Sequence, residues 1–231
     1  MKYLLNPCTD PYYNMSFDEY CLQQFRSDEM FFYLWRNRPS VIIGYNQNSQ
    51  AEVNLEYLRR NGILLVRRVT GGGAVYHDLQ NLNYSMVAPL GGADPVSVIV
   101  EALQRLGVPA ERTGRNDIFV EGRKVSGYAR RVYKDRELVH GTLMYDVDID
   151  TLTRALDVPG SKLNLKGVAS VRSRVTNLKD YLPQFASLDE FQAALQEMMA
   201  GNDPRIFLPA DSEQAIEALR RDKFANPDWI K

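Results

Sequence analysis

The sequence predicts an α+β fold, with mixed, mostly antiparallel β-sheets flanked by helices. Three observations carry that expectation. Short runs of aromatic and β-branched residues, Phe31-Phe32-Tyr33-Leu34-Trp35 and Val41-Ile42-Ile43-Gly44, are broken by the turn residues Asn37-Arg38-Pro39-Ser40. A second β-rich stretch runs from Asn116 to Tyr145 around a tight turn at Glu121-Gly122-Arg123. Helical spacing takes over beyond it. With 231 residues, 45% of them hydrophobic, the chain can bury a sizeable core as one domain over residues 1–231.

Several classes are excluded early. A net charge of −1 argues against a general nucleic-acid binder while leaving room for a local basic pocket. Cys8 and Cys21 make neither a disulfide framework nor a zinc motif. The apolar start, Met1 to Pro7, is too brief for a signal peptide, and no run approaches membrane-spanning length. The expected location is the cytoplasm, with no nucleic-acid or membrane partner.

In chain order, Asn14 to Leu22 reads as a helix start, with Asn14 or Ser16 as its cap. Phe17, Tyr20, Cys21 and Phe25 share one face, which makes Cys21 a small core residue. After the first two strands, Tyr45-Asn46-Gln47-Asn48 is a polar loop at a strand end, either a solvated connection or a mount for binding groups. Asn54 caps the next helix and Gly62 follows its C-terminus. Ile63 to Val66 is a strand that ends in Arg67-Arg68. Leu82 to Val87 alternates with period two and is expected to pair against the glycines before it. Asp94-Pro95 opens another helix, with Asp at the cap and Pro in the first turn. Ile118 to Val120 and Lys124 to Gly127 flank the tight turn, and a strand over 138–145 carries His140-Gly141-Thr142. Helices are expected over 148–156, 188–199 and 212–223.

The chain is organised around Arg67-Arg68-Val69-Thr70-Gly71-Gly72-Gly73-Ala74-Val75-Tyr76-His77-Asp78. Three glycines weaken a strand, so they imply a positive φ or a close approach of backbone to something else. Exposed N–H groups beside arginine forks suit a carboxylate or phosphate; a flexible loop beside a solvated arginine pair is the plainer reading. Asp117 stands at a strand start, where it either accepts from turn N–H groups or faces a cationic pocket. Lys124 sits past the turn among apolar residues. It is either a partly buried lysine in need of a partner or an edge-strand lysine. His140 is either a satisfied core histidine or a site residue.

RRxxGGGxVxHD, here Arg67 to Asp78, resembles the signature of the lipoate–protein ligase A family. NDIxxxGRKxSG from Asn116, HGTL from His140 and KGVASVRSRVTNL from Lys166 extend the resemblance, which runs from about Asn6 to the Phe224–Trp229 tail. It implies the catalytic-domain fold of the biotin and lipoyl protein ligases. It also implies an enzyme that makes lipoyl-adenylate from lipoate and MgATP, then transfers the lipoyl group to a carrier lysine. By the same resemblance Lys124 contacts the acyl carbonyl and adenylate phosphate, and Asp117 orients the incoming amine or a metal. Arg68, Gly71, Gly72 and Gly73 line the acyl and phosphate site. Val75, His77, Asn116, Gly127, His140, Gly141 and Thr142 are the further binding positions, with Tyr45 and Gln47 from the polar loop. The loop carrying Gly167, Ser170, Arg172 and Arg174 moves over the adenylate. No metal ligand is assigned.

The implied cofactors are ATP and Mg2+, with lipoate as substrate. The implied partners are lipoyl carrier domains: E2 subunits of 2-oxoacid dehydrogenases and the H protein of glycine cleavage. The family's small C-terminal domain is expected to be absent; a separate accessory protein is one way that relatives without it make the adenylate, and whether this chain requires one is not legible. Two other readings stay open. One is an octanoyl or lipoyl transferase of the same fold acting through a cysteine thioester, which needs a thiolate at the pocket. The other is a chain that binds lipoate or carrier without making adenylate. A biotin ligase would carry a GRGRxGR-type loop, which is missing. Preference between lipoate and octanoate is not legible.

Overall fold

The computed structural model describes residues 1–114, 116–157 and 174–231, and among these two sheets form the frame. In spatial order the larger sheet holds β1 (Lys2–Tyr3), β2 (Phe31–Trp35), β6 (Asn81–Pro89), β10 (Arg136–Met144), β9 (Arg123–Tyr133), β8 (Asp117–Val120) and β7 (Ala110–Thr113). Only its β1–β2 pair is parallel. The smaller sheet sets β3 (Ser40–Ile43) between β4 (Leu64–Arg67), parallel to it, and β5 (Val75–His77), antiparallel. The α+β, mostly antiparallel expectation holds.

Helices cover both sheets. Phe32, Leu34, Leu82, Tyr84 and Val139 pack on one face of the larger sheet with α4 (Pro95–Arg105) and α6 (Leu188–Ala200). Phe31, Tyr33, Trp35 and Leu138 pack on the other with α1 (Pro11–Gln23) and α7 (Ser212–Leu219). A third cluster joins Val41, Ile43 and Tyr76 to α3 (Leu55–Arg60) and α5 (Ile149–Ala155). The short α2 (Ser49–Glu52) and α8 (Pro227–Ile230) complete the α-helices of the described residues. None is long and apolar enough to cross a membrane.

Three local expectations need correction. Helix α1 opens at Pro11, where Asp10 Oδ1 accepts from the Tyr12 N–H (3.0 Å). It is the same cap-and-proline pair that marks α4. Asn14 and Ser16 lie inside α1, and the buried Asn14 amide donates to the Cys8 and Arg36 carbonyls (both 3.0 Å). The strand after the glycines does not pair with them. β6 is buried along nearly its whole length, its alternate residues serve both faces, and it takes β2 and β10 as neighbours. β7, which the sequence reading passed over, extends the sheet past β8.

The hairpin of β8 and β9 turns through Glu121 (φ 49°) and Gly122 (φ 77°), the two positive values that a two-residue turn of this hand requires. Beyond it the register shifts, so that Phe119 opposes Lys124 but Ile118 opposes Ser126. Val125 is the extra residue of a bulge. In a regular strand Lys124 and Gly127, three apart, would face opposite ways. The bulge puts both on the face of Asp117, which pairs directly with Gly127.

Candidate active site

A cavity of about 150 Å³ is lined by residues of both sheets and of α1. A single row of residues crosses the larger sheet beneath it. Trp35 pairs with Asn83 and Asn83 with Thr142; the Gly127 N–H donates to Thr142 Oγ1 (3.1 Å), and Gly127 pairs with Asp117. At the Asp117 end, Lys124 Nζ lies 2.7 Å from Asp117 Oδ1, with each side chain about one-third exposed. A Cβ on Gly127 would come within 3.1 Å of that ammonium, so the glycine makes its seat. Strand β10 does not reach Lys124. Instead Lys124 N–H donates to the Arg174 carbonyl (2.9 Å) and its carbonyl accepts from the Thr176 N–H (3.0 Å). A segment fifty residues downstream thus completes the sheet at the lysine.

The smaller sheet supplies the opposite wall. Gly72 has φ +96°, and its carbonyl presses on Gly44, where a Cβ would stand 2.1 Å from it. Arg68 is buried, and its Nε, Nη1 and Nη2 donate within the chain: to Thr70 Oγ1 (3.0 Å) and to the carbonyls of Ile42 (3.0 Å), Gly71 (2.7 Å) and Gly73 (2.8 Å). Burial lowers its pKa to about 10, which still leaves it charged at neutral pH. Arg68 holds the glycine loop in shape and lends the cavity a positive charge, but its forks are occupied. Arg67 does similar work elsewhere, bonding carbonyls of Gly44, Gln47 and Trp229.

Behind the row, Thr70 Oγ1 meets His140 Nε2 (2.7 Å), and His140 Nδ1 meets Asp18 Oδ2 (2.6 Å). Asp18 also accepts from Tyr33 (2.5 Å) and Ser85 (2.7 Å) through Oδ1, and Ser85 Oγ accepts from Trp35 Nε1 (2.9 Å). This buried network ties the sheets to each other and to α1. His140 is therefore a satisfied buried histidine that also lines the cavity. His77 is buried against Trp35, with ring centroids 6.1 Å apart. Burial first, then Arg68 and His140, lowers its pKa to about 3, so it is neutral.

The predicted residues Arg68, Gly72, Gly73, Val75, His77, Asn116, Asp117, Lys124, Gly127, His140, Gly141 and Thr142 all border this cavity. Gly71, Tyr45, Gln47 and Arg174 do not. Tyr45 packs outward against Trp229 and Arg131, and Gln47 Oε1 accepts from the Gly44 N–H (2.8 Å), closing its own turn. Gly141 lacks a side chain for another reason: a Cβ there would meet the Tyr84 hydroxyl at 2.5 Å, on the far face. Gly167, Ser170 and Arg172 lie outside the described residues.

Asp18, Trp35 and Asn83 were missed. The signal was present in β6, where Asn81, Asn83 and Ser85 alternate with Leu82, Tyr84 and Met86 and are all buried. A buried polar face on a strand implies a lined cavity or a network. Among the described residues no group of three or more His, Cys, Asp or Glu is arranged to hold a metal ion.

The lipoyl protein ligase A/B catalytic domain family matches residues 10–200. The lipoate-protein ligase LplJ of Bacillus subtilis is 40% identical over 95% of this chain and 70% of its own length. Among solved structures, a bipartite lipoate protein ligase of Thermoplasma acidophilum, studied with its E2 lipoyl domain, superposes with a TM-score of 0.88. It is 31% identical over 99% of this chain and 95% of that one. A lipoate-protein ligase A bound with ATP superposes with a TM-score of 0.85, at 30% identity over 99% and 97% of the two chains.

Proposed function

The chain belongs to the lipoyl protein ligase A/B catalytic domain family, and on that premise we propose how its cavity serves an ATP-dependent lipoate–protein ligase. Lipoate and MgATP give lipoyl-adenylate and pyrophosphate; a carrier lysine then attacks the mixed anhydride and an amide forms. The observation that carries the assignment is Lys124, paired with Asp117 over Gly127 at one end of the cavity. The ammonium attracts the acyl carboxylate, then neutralises charge on the acyl oxygen as the anhydride forms and breaks. A charge already held in place does this with little reorganisation. Asp117 holds the ammonium in place and stands within reach of an incoming amine. The buried Arg68 charge favours an anion close by, while the backbone of Gly72 and Gly73 lets a slender acyl chain lie against it. Magnesium enters with the nucleotide, and the carrier is a lipoyl domain such as that of an E2 subunit.

Neither cysteine supports a thioester route. Cys8 and Cys21 do not border the cavity, Cys21 is fully buried, and burial raises both thiol pKa values. The test is mass spectrometry of a lipoyl domain after incubation with the chain, MgATP and lipoate, with a Cys8→Ser/Cys21→Ser variant alongside. Lipoylation by both proteins is the expected result. Loss of activity in a folded double variant would restore the transferase reading.

A further inference from the structure

The glycine wall of the cavity is fastened from behind by a segment distant in sequence. The Arg67 guanidinium divides its donors between two sets of carbonyls. Nη1 donates to Gly44 (3.0 Å), Tyr45 (3.0 Å) and Gln47 (2.7 Å), all in the polar loop after β3. Nε donates to Trp229 (2.8 Å), and Nη2 to Ile230 (3.1 Å) and Lys231. Trp229 returns the contact, its indole Nε1 donating to the Arg67 carbonyl (2.9 Å).

The loop so held bears directly on the cavity. The Tyr45 N–H donates to the Thr70 carbonyl (2.8 Å), and the Gly72 carbonyl occupies the place of a side chain on Gly44. Gly72 and Gly73 line the cavity, whereas Lys124 and Asp117 stand on the larger sheet. The helix that leads to Trp229 departs from regular geometry. After α7 the chain makes a π-turn over Arg220–Phe224, where the Ala225 N–H bonds the Arg220 carbonyl (2.8 Å). Such turns are rare and recur at functional sites. This one buries Phe224, whose ring meets Trp229 edge-on with centroids 5.9 Å apart.

We propose that Arg67 and Trp229 are positioning residues for the reaction: together they clamp the loop over 44–47 and so set how close the Gly72–Gly73 backbone stands to the acyl chain. This rests on the ligase reading above and adds two residues that do not border the cavity and act on it through another segment. A planar fork of five N–H donors holds both sets of carbonyls at once, which the compact ammonium of a lysine cannot do. Because the clamp acts on one wall, its loss weakens the hold on the acid and leaves the chemistry at Lys124 intact.

Steady-state lipoylation of a carrier domain tests it in Trp229→Phe, which keeps a ring and loses the N–H, and in Arg67→Lys. In each, KM for lipoate should rise on the order of tenfold, with kcat within about twofold of wild type. The double variant should be no worse than the more impaired single, because both break one clamp. A fall in kcat at unchanged KM, the mark of a smaller folded fraction, would overturn the proposal, and so would fully additive effects or none. Hydrogen exchange gives a readout that needs no activity: the Tyr45 amide should exchange faster in Trp229→Phe. An unchanged exchange rate would overturn the clamp even if KM moved. If Arg67→Lys does not fold, Trp229→Phe decides on both readouts. A wild-type chain that lipoylates no carrier would overturn the ligase reading itself, and the exchange comparison would still decide the clamp.

Discussion

Lys124 is a residue whose removal should cost chemistry and little else. Its ion pair with Asp117 is about one-third exposed on each side, so the pair contributes less than about 1 kcal/mol to stability. Lys124→Ala is expected to abolish single-turnover transfer to a carrier domain while the melting temperature stays within a few degrees. Retained transfer would remove the lysine from the mechanism. The glycines separate by the same logic. At Gly72 a side chain meets a φ of +96° and the Arg68 guanidinium, so substitution there perturbs the loop. At Gly73 nothing stands within 4 Å of an added Cβ. Gly73→Val should leave stability unchanged and weaken lipoate binding; unchanged affinity by calorimetry would mean that no ligand lies there. His77 makes a pH prediction. Its pKa is about 3 in the fold and about 6.5 when unfolded, so the unfolded chain binds the extra proton first as pH falls. Stability is then lost below about pH 6.5, on the order of 3 kcal/mol by about pH 4. His77→Phe should flatten that limb of the urea-denaturation profile, and an unaltered slope would reassign it. At this scale Lys124, Asp117 and the glycines were legible as chemistry out of place in a strand. What Arg68 does was not, because its partners are carbonyls and carbonyls leave no mark in a sequence.

Among elements, the segment 174–176 has the clearest consequence. It bonds both backbone groups of Lys124, and Asn177 fastens the same segment by pairing with the Val147 N–H (3.0 Å) and carbonyl (3.1 Å). Thr176→Pro removes the N–H that the Lys124 carbonyl accepts. The expected result is a transfer rate reduced about tenfold or more, with lipoate affinity nearly kept, since positioning errors of an ångström act chiefly on rate. Equal loss in rate and affinity would show a general loosening instead. Helices and hairpins were read well where a local device marks them: Asn54 with Gly62, Asp94 with Pro95, and Glu121 with Gly122. Asp10-Pro11 was equally readable and was passed over for the polar residues that follow. The pairing of β6 was misread for a physical reason, since adjacency in sequence favours a hairpin and only the burial of both faces reveals a central strand.

For the molecule as a whole, the site is a joint between two sheets, and the chain Arg68–Thr70–His140–Asp18 is its fastening. Family-specific strings made the fold and chemistry legible before any geometry, yet they could not say that Asp18, inside the first helix, takes part. Asp18→Ala would strand Tyr33, Ser85 and His140 together; a loss of about 3–5 kcal/mol, measured by chemical denaturation, is expected for breaking such a buried group. The separations in those contacts also order events in time. Asp18 meets residues 15, 67 and 122 positions further along the chain. A ribosome that has released only the first hundred residues has made the carboxylate and one wall of the cavity, but not the histidine that faces it. Contacts of such long range are slow to form and cannot be made early. Nascent chains halted before β10 should therefore be cut readily by protease around α1, and chains halted well beyond residue 144 should resist. Synthesis itself thus delays assembly of the site until the sheet that carries Lys124 is complete.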